Sequence, residues 1–526
     1  MASQFFSRPL SRRDLLGLAA TSAAVIGAGP LLAGCSAQPA PGAESGSPRR
    51  GGRLRVGIVG GSAKDSLDAH GPVTHPDEAR VIQLYDTLAT YDTDFGIKLV
   101  LAEEIEPSAD AKVWTIRLRK GLEFHNGKDV TAEDVEYTLR RILDPKSPKA
   151  GAAGLASVDL KGIKVLDPRT LRLALKSPDA VLLDQFAQYL NGIVPVDYDP
   201  KRPVGAGPFK FSSFEPGQQS VFARHPNYWR DDGPYVDEVV IIDFPDDTAR
   251  VNALLGGQVD AIDQLPLSQI DVVKRNSGLK VLESKTGAWL PFTMRVDRAP
   301  FDDVRVRQAF RLIVDREQMV KQVLSGHGTV GNDLYSPYDE CFATDLPQRR
   351  QNIGEAKKLL RAAGKEGLTV ELVTSPVAAG LVEAAQVFAN QAKAAGVTVK
   401  VRKVESGEFY GDNYLKWDFA QDFWFTRSYL PQTGAGSLPS SPYNETHWAD
   451  KTFSALITEA RATVEQSKRC QLLHQAQEIE YANGGHIIWG FPNQVDAHSS
   501  KVSGFTEDVG GIPLTSYGFR RAWLSA

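Results

Sequence analysis

Apolar and polar residues alternate over 112–119, with Trp114, Ile116 and Leu118 on one face and Thr115, Arg117 and Arg119 on the other. A two-residue period of this kind predicts a half-buried strand. Residues 53–59, RLRVGIV, alternate basic and apolar positions and predict the first strand of the folded body. Residues 163–175 predict a hairpin that turns at Asp167-Pro168-Arg169-Thr170. After Thr131 the period lengthens. Val135, Leu139, Ile142 and Leu143 share one helical face, T-A-E-D offers a capping box from Thr131 to Asp134, and Asp144-Pro145 ends the helix.

Strand and helix periods alternate in both halves of the chain. A strand at 239–244 leads to a helix at 246–255, which stops at Gly256-Gly257, and a strand at 259–262 follows. The second half repeats this order with a strand at 368–374, a helix over 377–395 and a strand at 397–404. Such β-α-β units build mostly parallel sheets covered by helices, so the chain reads as two α/β lobes. Long helices are predicted at 303–324 and 451–481. Between them, residues 417–448 hold Trp417, Phe419, Phe423, Trp424, Phe425, Tyr429, Tyr443 and Trp448 among Gly, Pro and Ser.

The N-terminus changes the picture. Arg12-Arg13 precede an Ala/Gly/Leu-rich segment over 15–32, and Ala33-Gly34 stand directly before Cys35. Basic, apolar and small-residue regions in that order make an export signal, and the arginine pair is a twin-arginine address. The sequence LAGC is similar to the lipobox of bacterial lipoproteins, which implies cleavage before Cys35 and lipidation of its sulfur. Residues 36–52, rich in Pro, Gly and Ser, form a flexible linker. The expected location is therefore extracytoplasmic, held to the cell membrane at Cys35. The remaining 492 of 526 residues exceed one ordinary core.

The formal charge is −4; Arg8, Arg12, Arg13 and Asp14 give the first 34 residues a net +2, which leaves −6 on the rest. That charge, without a long basic run, argues against nucleic acid as a partner. No apolar run after Leu32 is long enough to span a bilayer. Cys341 and Cys470 stand far apart, one in a loop and one in a predicted helix. An oxidising compartment permits a bridge, but the preferred reading is two separate buried thiols.

Catalytic patterns are absent. There is no HExxH, no GxSxG and no Cys/His metal spacing. The stretch from Gly121 to Lys128 is one residue too long for a phosphate loop, and Asp129 stands where that loop needs Ser or Thr. Phe124-His125-Asn126-Gly127 reads as a structural turn. The pairs Asp231-Asp232, Asp246-Asp247 and Asp302-Asp303 read as caps or turns rather than a catalytic dyad. No enzyme activity, cofactor or metal site is expected.

Residues 118–139, LRKGLEFHNGKDVTAEDVEYTL, resemble the signature of the extracytoplasmic solute-binding proteins of peptide/nickel ABC importers, the bacterial solute-binding protein family 5. The stretches 203–209 (PVGAGPF), 224–229 (RHPNYW), 253–260 (ALLGGQVD) and 299–309 (APFDDVRVRQA) agree in order and spacing. The resemblance implies a two-lobed periplasmic-binding-protein fold, α/β throughout, with an extra subdomain in the first lobe and a two-segment hinge. With the signal at 1–34 and the linker at 35–52, it places the first lobe with its subdomain at 53–289, the second lobe at 290–490, and a return to the first lobe at 491–526. The crossings fall near 287–293 and 487–493. The implied partners are a small-molecule or peptide solute and the permease and ATPase subunits of an importer, with the protein itself a monomer.

In the dipeptide-binding branch of that family a W-x-x-D pattern supplies an aspartate for the peptide amino group, and an upstream arginine takes the carboxylate. Here the pattern reads Trp424-Phe425-Thr426-Arg427, and the upstream loop 374–379, TSPVAA, has no arginine. A cation at 427 repels an ammonium group and suits a carboxylate or phosphate. The expected ligand residues are Arg427 for an anionic group, Trp424 and Tyr429 for a flat or apolar part, Trp289 at the first crossing, and Asp68 after the first strand. For Arg427 the rival reading is a salt bridge within the second lobe; for Trp289 it is hinge packing, and for Asp68 a local turn. At the level of the whole protein the alternatives are a solute-sensing receptor, an enzyme on the same scaffold, and uptake of an anionic non-peptide or a metal chelate.

Overall fold

The computed structural model describes residues 47–72 and 74–525. The twin-arginine segment, the cleavage site, Cys35 and the linker as far as residue 46 lie outside the described residues. The described chain is two-lobed. The first lobe is built on a seven-stranded sheet, in the order Leu279–Ser284, Gln494–Ser499, Ala261–Ile262, Arg53–Val59, Glu238–Phe244, Gln219–Arg224, Phe209–Glu215. Arg53–Val59 lies at the centre with a parallel neighbour on each side. Leu54, Val56 and Ile58 are fully buried, which explains why apolar residues are needed there. Gly57 completes the fit, since a Cβ at this position would meet the Phe244 ring at 2.8 Å.

The second lobe holds a five-stranded sheet, in the order Thr398–Lys403, Thr369–Thr374, Phe419–Gln421, Phe292–Met294, His486–Ile487. Its two β-α-β strands are parallel and in register from Thr369 opposite Thr398. The extra subdomain is a four-stranded antiparallel sheet, in the order Ala102–Pro107, Val113–Leu118, Thr170–Ala174, Lys164–Asp167. Helix Ala132–Ile142 covers it and presents Val135, Leu139 and Ile142 to Trp114, Ile116 and Leu118. The capping box between Thr131 and Asp134 is formed, and the Asp134 carboxylate accepts from the Thr131 backbone N–H at 2.9 Å. Phe124 to Gly127 form a hydrogen-bonded turn, in which Phe124 N–H donates to the Lys128 carbonyl.

Three expectations fail. The helix predicted at 303–324 is two helices, Val304–Ile313 and Arg316–Val323. Val314 is extended, and the Asp315 carboxylate caps the second helix by accepting from Gln318 N–H at 2.9 Å. The helix predicted at 451–481 breaks in the same way, into Lys451–Ala462 and Gln466–Asn483. There the Arg469 guanidinium donates to the carbonyls of Thr463 and Val464, which rewards the extended link over a continuous helix. Lastly, Cys341 and Cys470 are joined in a disulfide across 129 residues of sequence, where separate thiols were preferred. A loop folded back over the helix brings their Cα atoms to 4.7 Å, a proximity that sequence spacing does not reveal.

Charges buried in the lobes are satisfied locally. The Arg80 guanidinium is wholly buried and donates to Asp65, Asp77, Asp243 and the Ser220 hydroxyl. In the second lobe Asp333 accepts from Arg316 at 2.6 Å, from Arg349, and from the backbone of Ile488 at 2.9 Å. Those three arginines, counting Arg311 at 4.0 Å, hold its carboxyl below the usual carboxylate range against burial.

Closing a loop of that length constrains the unfolded chain by about 5 kcal/mol. The Cys341→Ser/Cys470→Ser double variant is therefore expected to lose stability of that order in urea titration. Maleimide should label neither position until the native protein has been reduced and unfolded; labelling of the untreated protein at either cysteine would contradict the bridge.

Candidate functional site

The chain passes between the two sheets twice, over 285–291 and 488–493. The first passage is fastened to the second lobe. Trp289 and Trp424 exchange backbone hydrogen bonds, each N–H to the other's carbonyl, both at 3.0 Å. Thr426 adds a second fastening: its hydroxyl accepts from Gly287 N–H at 3.0 Å and donates to the Val509 carbonyl at 3.2 Å. The segment 424–427 is thus held by both lobes. A Cβ at 287 or 511 would be tight, at 3.1 Å and 3.2 Å from the Thr426 side chain, and the φ of +82° at Gly511 itself favours glycine.

One residue beyond this anchor, Arg427 extends over the Trp424 ring, with its guanidinium carbon 5.4 Å from the centroid. Among the described residues it has no carboxylate within ion-pair distance and no hydrogen bond. The intralobe salt bridge is therefore not formed. Its surroundings are phenols: Tyr443 from the second lobe, and Tyr189 and Tyr91 from the first. Burial pulls the guanidinium pKa down, and the three tyrosines oppose that shift. Phe425 and Tyr443 are about half exposed, at 56% and 48%. A cavity of about 190 Å³ opens beside Tyr91 and Tyr189, bounded also by Ile82, Gln188 and Tyr517. A second recess, about 470 Å³, lies between Tyr91–Ile97 of the first lobe and residues 338–341 and 428–431 of the second.

The other expected site residues fall elsewhere. Tyr429 is wholly buried, and its hydroxyl donates to Glu480 at 2.6 Å. Its ring stacks on Tyr335 inside the second lobe, so it does not reach the cleft. Trp289 is 1% exposed and lies between Tyr335 and Trp424 in one aromatic stack, which makes it hinge packing. Asp68 is tied to Arg141 at 2.8 Å and accepts from His70 N–H, both inside the first lobe. Of the five expected residues, the structure brings Trp424 and Arg427 together, with Trp424 itself buried in the second-lobe aromatic cluster. Sequence reasoning missed Tyr91 and Tyr189, which carry no motif; Tyr443 was visible only as one member of an aromatic stretch.

Further contacts join the lobes. Ser428 donates to Asp184 at 2.6 Å, and Tyr91 donates to the same oxygen at 3.1 Å. Ala180 N–H donates to the Arg461 carbonyl at 2.7 Å, and Arg461 reaches Asp179 at 3.3 Å. Burial pushes the Asp184 carboxyl up to about 6; Ser428 and Tyr91 oppose this, and Asp339 and Asp179 add to it. His125, in the Phe124–Gly127 turn, accepts from Gly205 N–H and meets the Gly207 carbonyl. Burial pulls its pKa to about 3, so it stays neutral and structural. Among the described residues no cluster of three or more His, Cys, Asp or Glu is placed to hold a metal, and no helix is long and apolar enough to cross a membrane.

Two α/β lobes, crossed twice by the chain and enclosing a cleft with an uncompensated cation, define the class of proteins that trap a solute by closing around it. The family model for bacterial extracellular solute-binding proteins, family 5 Middle, matches residues 96–445, and the chain belongs to that family. Its members are binders of transported solutes and not enzymes. The chain is 26% identical over 490 residues to di/tripeptide-binding protein 2 of Pseudomonas aeruginosa, covering 85% of this chain and 90% of that one. It is 27% identical over 480 residues to heme-binding protein A of Haemophilus influenzae, with 82% and 85% covered. Among solved structures it is similar to the periplasmic binding protein DppA of Helicobacter pylori in complex with the peptide STSA. That match has a TM-score of 0.75 and 23% identity, and covers 91% of this chain and 99% of the other.

The closed lobes bury Asp184 and raise its carboxyl from the ordinary 3.8 to about 6. Opening returns it toward the ordinary value, so the closed form holds more protons between these limits. Closure is therefore favoured as pH falls through about 6 and disfavoured as it rises. Affinity for a solute bound by closure is expected to rise about tenfold from pH 7 to pH 5. Asp184→Asn should flatten that dependence in a calorimetric pH series, and an unchanged slope in the variant would count against this role.

Proposed function

We propose that the protein is the lipid-anchored solute-binding component of an ABC importer. It works as a monomer outside the cell membrane, closes its lobes over one small solute, and delivers that solute to permease subunits driven by an ATPase. The working boundaries are 53–289 for the first lobe with its subdomain, 290–490 for the second lobe, and 491–526 for the return, with closure about the two crossings. Cys35 carries the lipid, and 36–52 is the tether.

The solute presents an anionic group to Arg427 and a flat or apolar part to Trp424, Phe425 and Tyr443. The observation that carries this reading is the unpaired Arg427 guanidinium among tyrosines from both lobes. A buried cation without a counter-charge is unfavourable by itself. A carboxylate or phosphate accepting two of its N–H groups removes that penalty and fixes orientation. The same charge disfavours the ammonium end of a peptide at this position. Relatives whose names specify di/tripeptides and heme support a scaffold that accommodates chemically different solutes.

Thermal unfolding of the mature chain against peptides of two to five residues, oligosaccharides, anionic metabolites and metal chelates is expected to single out anionic compounds. A ligand at a hundred times its Kd stabilises by about 2.7 kcal/mol. Arg427→Gln should weaken the responding compound by about 10- to 100-fold in calorimetry, the magnitude of a lost hydrogen bond to a charged group. A stabilising response to ordinary dipeptides that survives Arg427→Gln would overturn the anionic assignment. For the anchor, Cys35→Ser should move the protein from the membrane fraction to the soluble one in cell fractionation; retention in the membrane would show that Cys35 does not hold it.

A further inference from the structure

Opposite the Arg427 side of the cleft stands a carboxyl group that the fold does not use. Glu78 lies in the first turn of helix His75–Leu84, one turn before Ile82, so both fall on the same face. Ile82 is part of the wall of the cavity beside Tyr189 and Tyr91. The Glu78 side chain is 13% exposed. Among the described residues it makes no hydrogen bond, and its nearest basic group is the His75 imidazole at 3.8 Å.

That imidazole is no counter-charge. Burial, then the Arg250 guanidinium, lowers the His75 pKa, and its outer nitrogen is taken by the Gln264 amide at 2.9 Å. The charged neighbour that acts on Glu78 is Asp263, of like sign and itself held by Arg250 at 2.7 Å. Three other carboxyl groups near the cleft are already occupied. Asp86 accepts from the Trp229 indole and the Tyr228 hydroxyl, Asp184 from Tyr91 and Ser428, and Asp339 from the backbone of Tyr429 and Cys341.

Tyr189 links the two unused charges. Its phenol is pushed up by burial and by Glu78, and pulled down by Arg427, so it stands within electrostatic reach of both. An acid of the first lobe and a base of the second thus both act on one tyrosine. A solute that brings an anionic group to Arg427 and a cationic group to Glu78, whose approach favours the ionised carboxylate, satisfies both.

We propose that Glu78 is the receptor for a cationic group of the solute, so that the transported compound is a zwitterion whose ammonium or guanidinium end meets the first lobe while its acidic end meets Arg427 in the second. This rests on the reading of Arg427 as the anion receptor. Burial, then Asp263, pushes the Glu78 carboxyl up to about 8, the condition of a group that lacks a cation. A solute bearing both charges also tethers the two lobes through one molecule, so closure becomes selective for compounds that carry the pair.

The test uses the full chain and a series of ω-amino acids from 4-aminobutyrate to 8-aminooctanoate, each compared by calorimetry with the carboxylic acid and the alkylamine of the same length. One or more ω-amino acids should bind at least about tenfold tighter than both counterparts. Glu78→Gln, which keeps shape and removes charge, should abolish the advantage over the carboxylic acid and leave carboxylate binding itself intact. Glu78→Lys should reverse the preference, toward the α,ω-dicarboxylic acid of matching length. The inference is overturned if ω-amino acids bind no better than the plain acids, if the advantage survives Glu78→Gln, or if no member of the series binds. Loss of carboxylate binding in Arg427→Gln reports separately on the preceding reading, because that response does not depend on the ammonium group.

Discussion

The reciprocal backbone pairing of Trp289 with Trp424 is the constraint from which the cleft follows. It fastens the first crossing to the loop that carries Arg427, and Thr426 extends the fastening to Gly287 and Val509. Both tryptophan rings stack, at 5.8 Å between centroids, and Tyr335 continues the stack into the second lobe. Aromatic packing of this kind is stiff and excludes water. The backbone from Trp424 to Thr426 is therefore held in place, and it sets the position of Arg427, which follows directly and lies over the Trp424 ring.

Elsewhere the protein spends its charges internally. Arg80 is surrounded by three carboxylates, and Asp333 by three arginines, each wholly buried. Breaking one partner from such a set leaves an uncompensated buried charge, which is why these groups belong to the fold and not to the site. Arg427 and Glu78 are the contrast. Among the described residues, Glu78 makes no hydrogen bond and meets only the His75 imidazole at 3.8 Å, while Arg427 has no carboxylate partner and lies over the Trp424 ring; the two stand on different lobes.

Much of the local architecture was legible in the chain. The alternation over 112–119 is the buried pattern of strand Val113–Leu118, and the capping box at Thr131 forms as its residue types require. These features depend on neighbours within a few positions. The broken helices were illegible for the same reason reversed: Asp315 and Arg469 act through side-chain contacts that compete with helical periodicity, and the periodicity continues past them. Tyr429 illustrates the limit at the site. It stands two residues from Arg427, yet its hydroxyl meets Glu480, 51 residues on in the chain, and the ring leaves the cleft for the core.

By itself, the sequence determined the family and most of the succession of strands and helices. Motifs and short-range periods survive in one dimension because they are set by covalent spacing. Only the tertiary structure decided which charges are free. Whether a carboxylate or guanidinium has a partner depends on groups brought from distant positions, as Arg141 comes to Asp68, Ser428 to Asp184, and Cys470 to Cys341. Among the described residues, the same folding left Glu78 without a hydrogen bond and Arg427 without a counter-charge.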